Sequence, residues 1–168
     1  FFKMYANLDG WKPKPIDKYP ISNNTMDKWL LTRLDETINE VTSQADKYKL
    51  AHAINPIFIL IDDLSNWYIR RSRRRFWKSE DDIDKAQAYD VLHYALVTIS
   101  QLLAPWAPFV SERIYRDMTN GESVHLTDWP KSQPVDQNIL NQMSTIRNVI
   151  TDGLKQRADS KIKVRQPL

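Results

Sequence analysis

The residue types best suited to chemistry lie in one run. From Asp62 the chain reads Asp62-Asp63-Leu64-Ser65-Asn66-Trp67-Tyr68-Ile69-Arg70-Arg71-Ser72-Arg73-Arg74-Arg75-Phe76-Trp77-Lys78, so five of the six residues from 70 to 75 are Arg. At helical spacing Trp67, Arg71, Arg74 and Lys78 share one stripe, and Arg70, Arg73 and Trp77 share its neighbour. Guanidinium forks bind phosphates or base edges, and indoles or Arg planes stack on unpaired bases. Each stacked base contributes on the order of 1–3 kcal/mol. A plainer reading stands beside this one. Arg is a good helix former, and Asp62, Asp63, Glu80, Asp81 and Asp82 are near enough in sequence to pair with it. Exposed ion pairs of that kind are worth roughly 0–1 kcal/mol each. Charged helix faces are common, so composition alone favours the ion-pair reading, and Trp67 beside Leu64 and Tyr68 suits a core as well as a base.

Other chemistries find little support. The chain has no Cys, which removes disulfides, thiolate metal sites and Cys nucleophiles. His52, His93 and His125 are far apart, and Gly10, Gly121 and Gly153 are isolated, so neither an all-His metal site nor a phosphate-cradling loop is expected. The acidic stretch Glu80 to Asp84 lacks the glycine and ligand spacing of a calcium loop and reads as the start of a helix. His93, between Leu92 and Tyr94, reads as a packed or capping residue, and so does His52 beside Ala53. His125 near Asp128 has no nucleophile to serve. Catalytic residues and metal ligands are therefore expected to number none.

The net charge of +3 over 168 residues hides an uneven distribution. Residues 1–69 carry −1, 70–85 carry +3, 86–137 carry −3 and 138–168 carry +4. The last segment forms a second candidate patch of Arg147, Lys155, Arg157, Lys161, Lys163 and Arg165. A hydrophobic content of 42% with 11% aromatics argues for a folded domain and against disorder. No apolar run approaches the roughly 18 residues that cross a membrane, and no signal peptide is visible. A start at Phe1 and a stop at Leu168 read as a piece of a longer polypeptide.

These residues need helices to position them. Residues 1–25 read as an extended lead-in, interrupted by Pro13, Pro15 and Pro20, whose aromatics Phe1, Phe2, Tyr5, Trp11 and Tyr19 pack on a neighbouring element. Met26, Leu30, Leu34, Ile38, Val41 and Ala45 predict a first helix over about 26–46, with N-cap candidates from Ser22 to Thr25. Leu50, Ile54, Ile57, Ile61, Leu64 and Tyr68 predict a second over about 49–78, and Pro56 predicts a kink or break near Ala53. Ala88, Leu92, Ala95, Ile99 and Leu102 mark a third that ends before Pro105. Pro108 opens a short fourth that Thr119-Asn120-Gly121 stops. Residues 120–134 read as a loop with a brief extended stretch from Ser123 to Leu126. A fifth helix over about 136–158 is weakened by Gly153, and the alternation from Lys161 to Arg165 reads as extended. The expected fold class is all-α: an antiparallel bundle of four to five helices. The expected organisation is a lead-in at 1–25, the bundle at 26–160 and an extended tail at 161–168.

Leu64 to Trp77 closely resembles a segment of the isoleucyl-tRNA synthetase family, within its anticodon-binding helical domain. Further stretches agree in order: Tyr5-Ala6-Asn7-Leu8-Asp9-Gly10-Trp11, Trp29-Leu30-Leu31-Thr32-Arg33-Leu34, Leu103-Ala104-Pro105-Trp106-Ala107-Pro108-Phe109, Val124-His125-Leu126-Thr127-Asp128-Trp129-Pro130 and Ile162-Lys163-Val164-Arg165-Gln166-Pro167-Leu168. The resemblance covers essentially the whole chain. It implies a class I ligase that activates isoleucine with ATP and Mg and esterifies tRNA(Ile) in the cytoplasm, away from any membrane. That family's two nucleotide-binding signatures are absent, since the only Lys-Met pair, Lys3-Met4, is followed by Tyr5. The chain is thus expected to hold no cofactor of its own. It would bind the anticodon arm, with the catalytic and C-terminal domains of the same polypeptide as its other partners. Trp67, Arg70, Arg71, Arg73, Arg74, Arg75, Trp77 and Lys78 are the expected tRNA contacts, and the second patch would follow the stem. Two alternatives stay open: a docking module whose Arg run braces the bundle or meets another protein domain, and the anticodon domain of a valyl- or leucyl-type enzyme.

Overall fold

The computed structural model describes all residues except Lys14, Asp17, Ser79, Glu80, Asp81, Pro167 and Leu168 and two expected site residues, Lys78 and Arg165; the Asp82 side chain is also outside it. The helices are α1 (Phe2–Leu8), α2 (Thr25–Asp46), α3 (Leu50–Ala53), α4 (Asn55–Asp62), α5 (Arg70–Trp77), α6 (Asp82–Leu103), α7 (Pro108–Met118) and α8 (Gln137–Asp159). A π-helical segment, Asp63–Ile69, joins α4 to α5, and Val124–Leu126 form a 3₁₀ turn. No strand occurs among the described residues, so the protein is all-α. Two units divide the chain, Phe1–Val135 and Asp136–Leu168, where the sequence groups 26–160 together.

In the first unit the helices alternate in direction, as named pairs show. Asp27 early in α2 meets Arg75 late in α5, while Arg33 further along α2 meets Asp63 at the start of the π segment. The second rod is therefore antiparallel to the first. Near the start of α6 Asp84 meets Arg75, and His93 in α6 meets Met118 at the end of α7. Helix α6 is buried on most sides, with Ala88, Tyr89, Val91, Leu92, His93, Ala95, Val97, Thr98, Ile99 and Ser100 all inside. A stripe on one face cannot describe such a helix, which touches α1, α2, α4, α5 and α7.

Local chemistry sets the boundaries. Asn24 caps α2, its side chain accepting from the Met26 amide at 2.9 Å. Pro56 sits in the first turn of α4, so the second helix breaks at Ile54 as expected. The π segment is not anticipated by the sequence reading, yet its cause is visible there. Leu60, Leu64, Tyr68, Ser72 and Phe76 are all buried and fall every fourth residue. At about 100° per residue an α-helix rotates such a series by roughly 40° per step. The wider π turn takes up that drift and keeps the series on one face.

Three expectations of extended backbone are corrected. Phe2–Leu8 are helical: Phe2 and Ala6, one turn apart, bury themselves, and the left-handed Gly10 (φ 66°) follows the helix. Phe2 packs against Trp11, Tyr89 and His93, while Asp9 accepts from the Tyr89 hydroxyl at 2.5 Å and pairs with Lys85 at 2.7 Å. At Ser123 the hydroxyl accepts from the His125 amide, and Glu112 accepts from Ser123 and the Val124 amide at 2.9 Å, which winds a 3₁₀ turn instead of a strand. Lys161 is left-handed (φ 57°) and the Ile162 amide donates to the Arg157 carbonyl, so the chain turns at Ser160 and Lys161 directly after α8. The lead-in at residue 19 does pack as expected. Tyr19 donates to the buried Asp35 at 2.5 Å, and the Gln133 amide donates to the same carboxylate at 2.9 Å.

Described by itself, α8 is capped by Asp136, which accepts from the Asn138 and Ile139 amides, and Gly153 does not interrupt it. A Cβ added at Gly153 meets nothing within 4 Å. Gly153→Ala should therefore stabilise the protein by about 0.5–1 kcal/mol, read as a higher denaturation midpoint, through lower chain entropy in the unfolded state. His93 gives a pH prediction. Its buried imidazole is held below the ordinary His value by desolvation, against opposing contributions from the Met118 carbonyl and Asp90. As pH falls below about 6.5 the unfolded chain takes up a proton that the fold resists. Stability should fall through that window, and His93→Gln should flatten the dependence in denaturant titrations.

Candidate nucleic-acid interface

The Arg run divides by face. Arg70, Arg71, Arg73 and Arg74 are exposed, Ser72 and Phe76 are buried, and Arg75 turns inward with its side chain 13% exposed. The division follows from the fourfold series, which aims residues 68, 72 and 76 at α2 and α6.

Arg75 therefore departs from the expected set of RNA contacts. Its two terminal nitrogens grip Asp27, which is 0% exposed, at 2.6 and 2.8 Å. Its Nε donates to Asp84 at 2.7 Å, and a terminal nitrogen reaches the same carboxylate. The Tyr68 hydroxyl and the Ser22 hydroxyl donate to Asp27 at 2.7 and 2.6 Å. Burial acts to lower the Arg75 pKa, but the hydrogen bonds to Asp27 and Asp84 outweigh it and hold the guanidinium above its ordinary value. Tyr68 is pushed well up by burial and by the Asp27 charge. Hydrogen bonding to Arg75 holds Asp84 below the usual carboxylate range. Asp27 is the centre of this clamp. A second tie runs from Arg33 to Asp63 at 3.1 Å and to Glu36.

The remaining four Arg are not neutralised: among the described residues none forms an ion pair with a carboxylate. The Arg71 guanidinium carbon lies over the Trp67 ring, 4.4 Å from its centroid, and Arg73 lies 6.0 Å from that of Phe1. Phe1 in turn meets Phe76 edge-on at 5.2 Å. Trp67 is half-buried and Trp77 is 53% exposed. The run is thus brace and open basic face at once, divided residue by residue. Lys78 lies outside the described residues.

The second patch is less uniform. Lys155, Lys161 and Lys163 are exposed and Arg147 is half-buried. Arg157 is occupied within its own unit, donating to the carbonyls of Lys163 at 2.9 Å and of Gln166, which ties the tail to α8. Arg165 lies outside the described residues. His52, expected to pack or cap, is exposed in the last turn of α3, whereas His93 packs as expected and donates from Nε2 to the Met118 carbonyl at 2.8 Å.

Removing one partner of a buried pair leaves the other charge uncompensated. Arg75→Ala should lower folding stability by about 3–5 kcal/mol in urea titrations. The exposed Arg70→Ala and Arg74→Ala should each stay within about 0.5 kcal/mol.

Residues 27–168 match the family described as the anticodon-binding domain of tRNA ligase. The whole chain aligns with isoleucine–tRNA ligases: 41% identical over 173 residues in Bacillus thuringiensis (strain Al Hakam) and 40% over 173 in Chlamydia trachomatis serovar L2, covering 16% of each relative. The enzyme of Dehalococcoides mccartyi is 41% identical over 177 residues, of which the chain covers 17%. The chain therefore spans about a sixth of the length of these relatives. With the helical architecture, the capped α2 and the open Arg face of α5 in place, the match assigns the chain to the anticodon-binding domain family of tRNA ligases.

Proposed function

We propose that this domain holds the anticodon arm of tRNA(Ile) for an isoleucine–tRNA ligase. One observation carries the reading: Arg70, Arg71, Arg73 and Arg74 stand exposed on one short helix without carboxylate partners among the described residues. Four unneutralised guanidiniums displace counterions from a phosphate backbone, and a rigid bundle fixes their spacing. Trp77 beside them offers an exposed ring. Lys155, Lys161 and Lys163 supply a further set of cations for the stem. The isoleucine assignment rests on the relatives' names together with 40–41% identity across the chain. Activation with ATP and Mg belongs, in this reading, to a catalytic domain of the same polypeptide, acting in the cytoplasm. Among the described residues no helix is long and apolar enough to cross a membrane.

Binding to tRNA(Ile) measured by fluorescence anisotropy over a salt series tests this. With about four phosphates neutralised the log–log slope should be roughly −3 to −4. The double variant Arg70→Ala/Arg74→Ala should weaken binding and reduce the slope by about 2, with helicity by circular dichroism unchanged. Intact helicity with unaltered affinity would remove α5 from the tRNA interface. Equal affinity for tRNA(Val) would place discrimination outside this domain.

A further inference from the structure

We infer that the end of the bundle away from the Arg75 clamp is a docking surface for another folded domain of the same polypeptide, seated on Tyr48, Leu50, Trp106, Phe109 and Val110. The inference does not depend on which face holds RNA. It takes from the family match only that this chain spans about a sixth of its aligned relatives.

A backbone outlier marks the place. Helix α2 closes with two bonds beyond its last residue: the Tyr48 amide donates to the Ala45 carbonyl at 2.8 Å, and the Lys49 amide to the Gln44 carbonyl at 2.9 Å. That closure needs one left-handed residue, where Gly is usual because it has no Cβ to clash. Here Tyr48 takes the position, with φ 58°. A bulky side chain at positive φ costs free energy that its surroundings must offset. This fold offsets little of it, since Tyr48 is 91% exposed. A ring that strains the backbone and stays out of the core fits a role outside the chain.

Its neighbours make the same end apolar. Helix α2 ends at Asp46, α3 begins at Leu50, α6 ends at Leu103 and α7 begins at Pro108. The Trp106 indole N–H donates to the Leu50 carbonyl at 3.2 Å, which ties the two connections together. Leu50, Phe109 and Val110 are exposed, Phe109 to 89%, and Trp106 is half-buried. Single exposed apolar residues are ordinary, but aromatic and aliphatic side chains gathered on adjoining turns form a patch of the kind that marks protein interfaces. Tyr and Trp are favoured at the centres of such interfaces.

The chemistry around the patch selects the partner. Aliphatic surface at Leu50 and Val110 gains from burial against apolar side chains, whereas a phosphate backbone gives it nothing. Lys47 and Lys49 flank Tyr48 on one margin; both are exposed, and neither forms an ion pair with a carboxylate among the described residues. Arg113, further along α7, is held by Asp117. The complementary surface is therefore apolar at its centre with carboxylates along one edge. A domain joined to this one in the same polypeptide meets the patch at a high effective concentration, which a second copy of the chain does not.

Hydrogen exchange on the full-length polypeptide and on the 168-residue chain tests this. Amides of residues 45–52 and 104–112 should exchange at least about tenfold more slowly in the full-length polypeptide, where the patch is covered. Tyr48→Gly removes the ring and suits the left-handed backbone, so in the 168-residue chain it should leave the denaturation midpoint unchanged or higher. In the full-length polypeptide Tyr48→Gly/Phe109→Ser should restore most of the fast exchange. Equal exchange in the two unaltered proteins, or protection that survives the double substitution, would overturn the proposal. So would protection of these amides in the 168-residue chain on adding tRNA(Ile), which would make this end an RNA contact, or on raising protein concentration, which would make it a self-association face. A lower midpoint for Tyr48→Gly would make the ring a support of the fold and overturn its role at the surface. None of these outcomes bears on the α5 face, which the salt series tests separately.

Discussion

The carboxylate of Asp27, sealed from solvent and gripped by both terminal nitrogens of Arg75, is the contact on which the orientation of the described bundle depends. It joins α2 to α5, and through Asp84 it takes in the start of α6 as well. Tyr68 and Ser22 donate to the same carboxylate, so its acceptor sites are used by three parts of the chain outside α2: α5, the π segment and the lead-in. A buried ion pair adds little net stability over an apolar filling of the same volume. Its consequence is geometric: an ion held by a bidentate fork tolerates only one rotation of each helix about its axis. With α5 fixed in that rotation, the neighbouring Arg residues have no place to go except outward.

That division depends on the π segment too. Without the widened turn, buried positions spaced by four would rotate away from α2, and Tyr68 and Arg75 would not reach the same carboxylate. The Arg33–Asp63 tie holds the front of the segment and the Arg75 clamp lies beyond its end, so the unusual backbone is anchored on both sides. The helix that carries the basic face is therefore among the most firmly located in the unit. Pre-set cations lose less freedom on meeting a phosphate backbone than cations on a mobile loop would.

Aromatic packing does a comparable job at the other margins. Phe2, Trp11, Tyr89 and His93 form one cluster that fastens α1 and the lead-in to α6, and Phe76 joins it through Tyr89 with Phe1 packed edge-on against Phe76. Buried Asp35, whose pKa is raised by desolvation, draws Tyr19 and the loop at Gln133 to the middle of α2. Helix α2 thus carries three acidic anchors, from Asp27 in its first turn to Asp35 and Glu36 further on. Each receives a donor from elsewhere or from Arg33.

By itself the sequence determined the helices, since apolar spacing, Pro56, Pro108 and the Asn24 cap act within a turn or two of themselves. It also determined the family, because Leu64 to Trp77 carries a resemblance that the family match over residues 27–168 bears out. The fourfold series from Leu60 to Phe76 was legible as well, but it signals a π turn only once those five side chains are known to share one buried face. Short-range rules misjudged Phe2–Leu8, where prolines further along argued for extension and burial of Phe2 and Ala6 decided for helix. Only the tertiary structure separated Arg75 from Arg70, Arg71, Arg73 and Arg74. Five arginines within six residues look alike in sequence, and which of them is a brace depends on a carboxylate 48 residues away. Long-range electrostatics of that kind leaves no local pattern, because the partner is brought near only by the packing of α2 against α5.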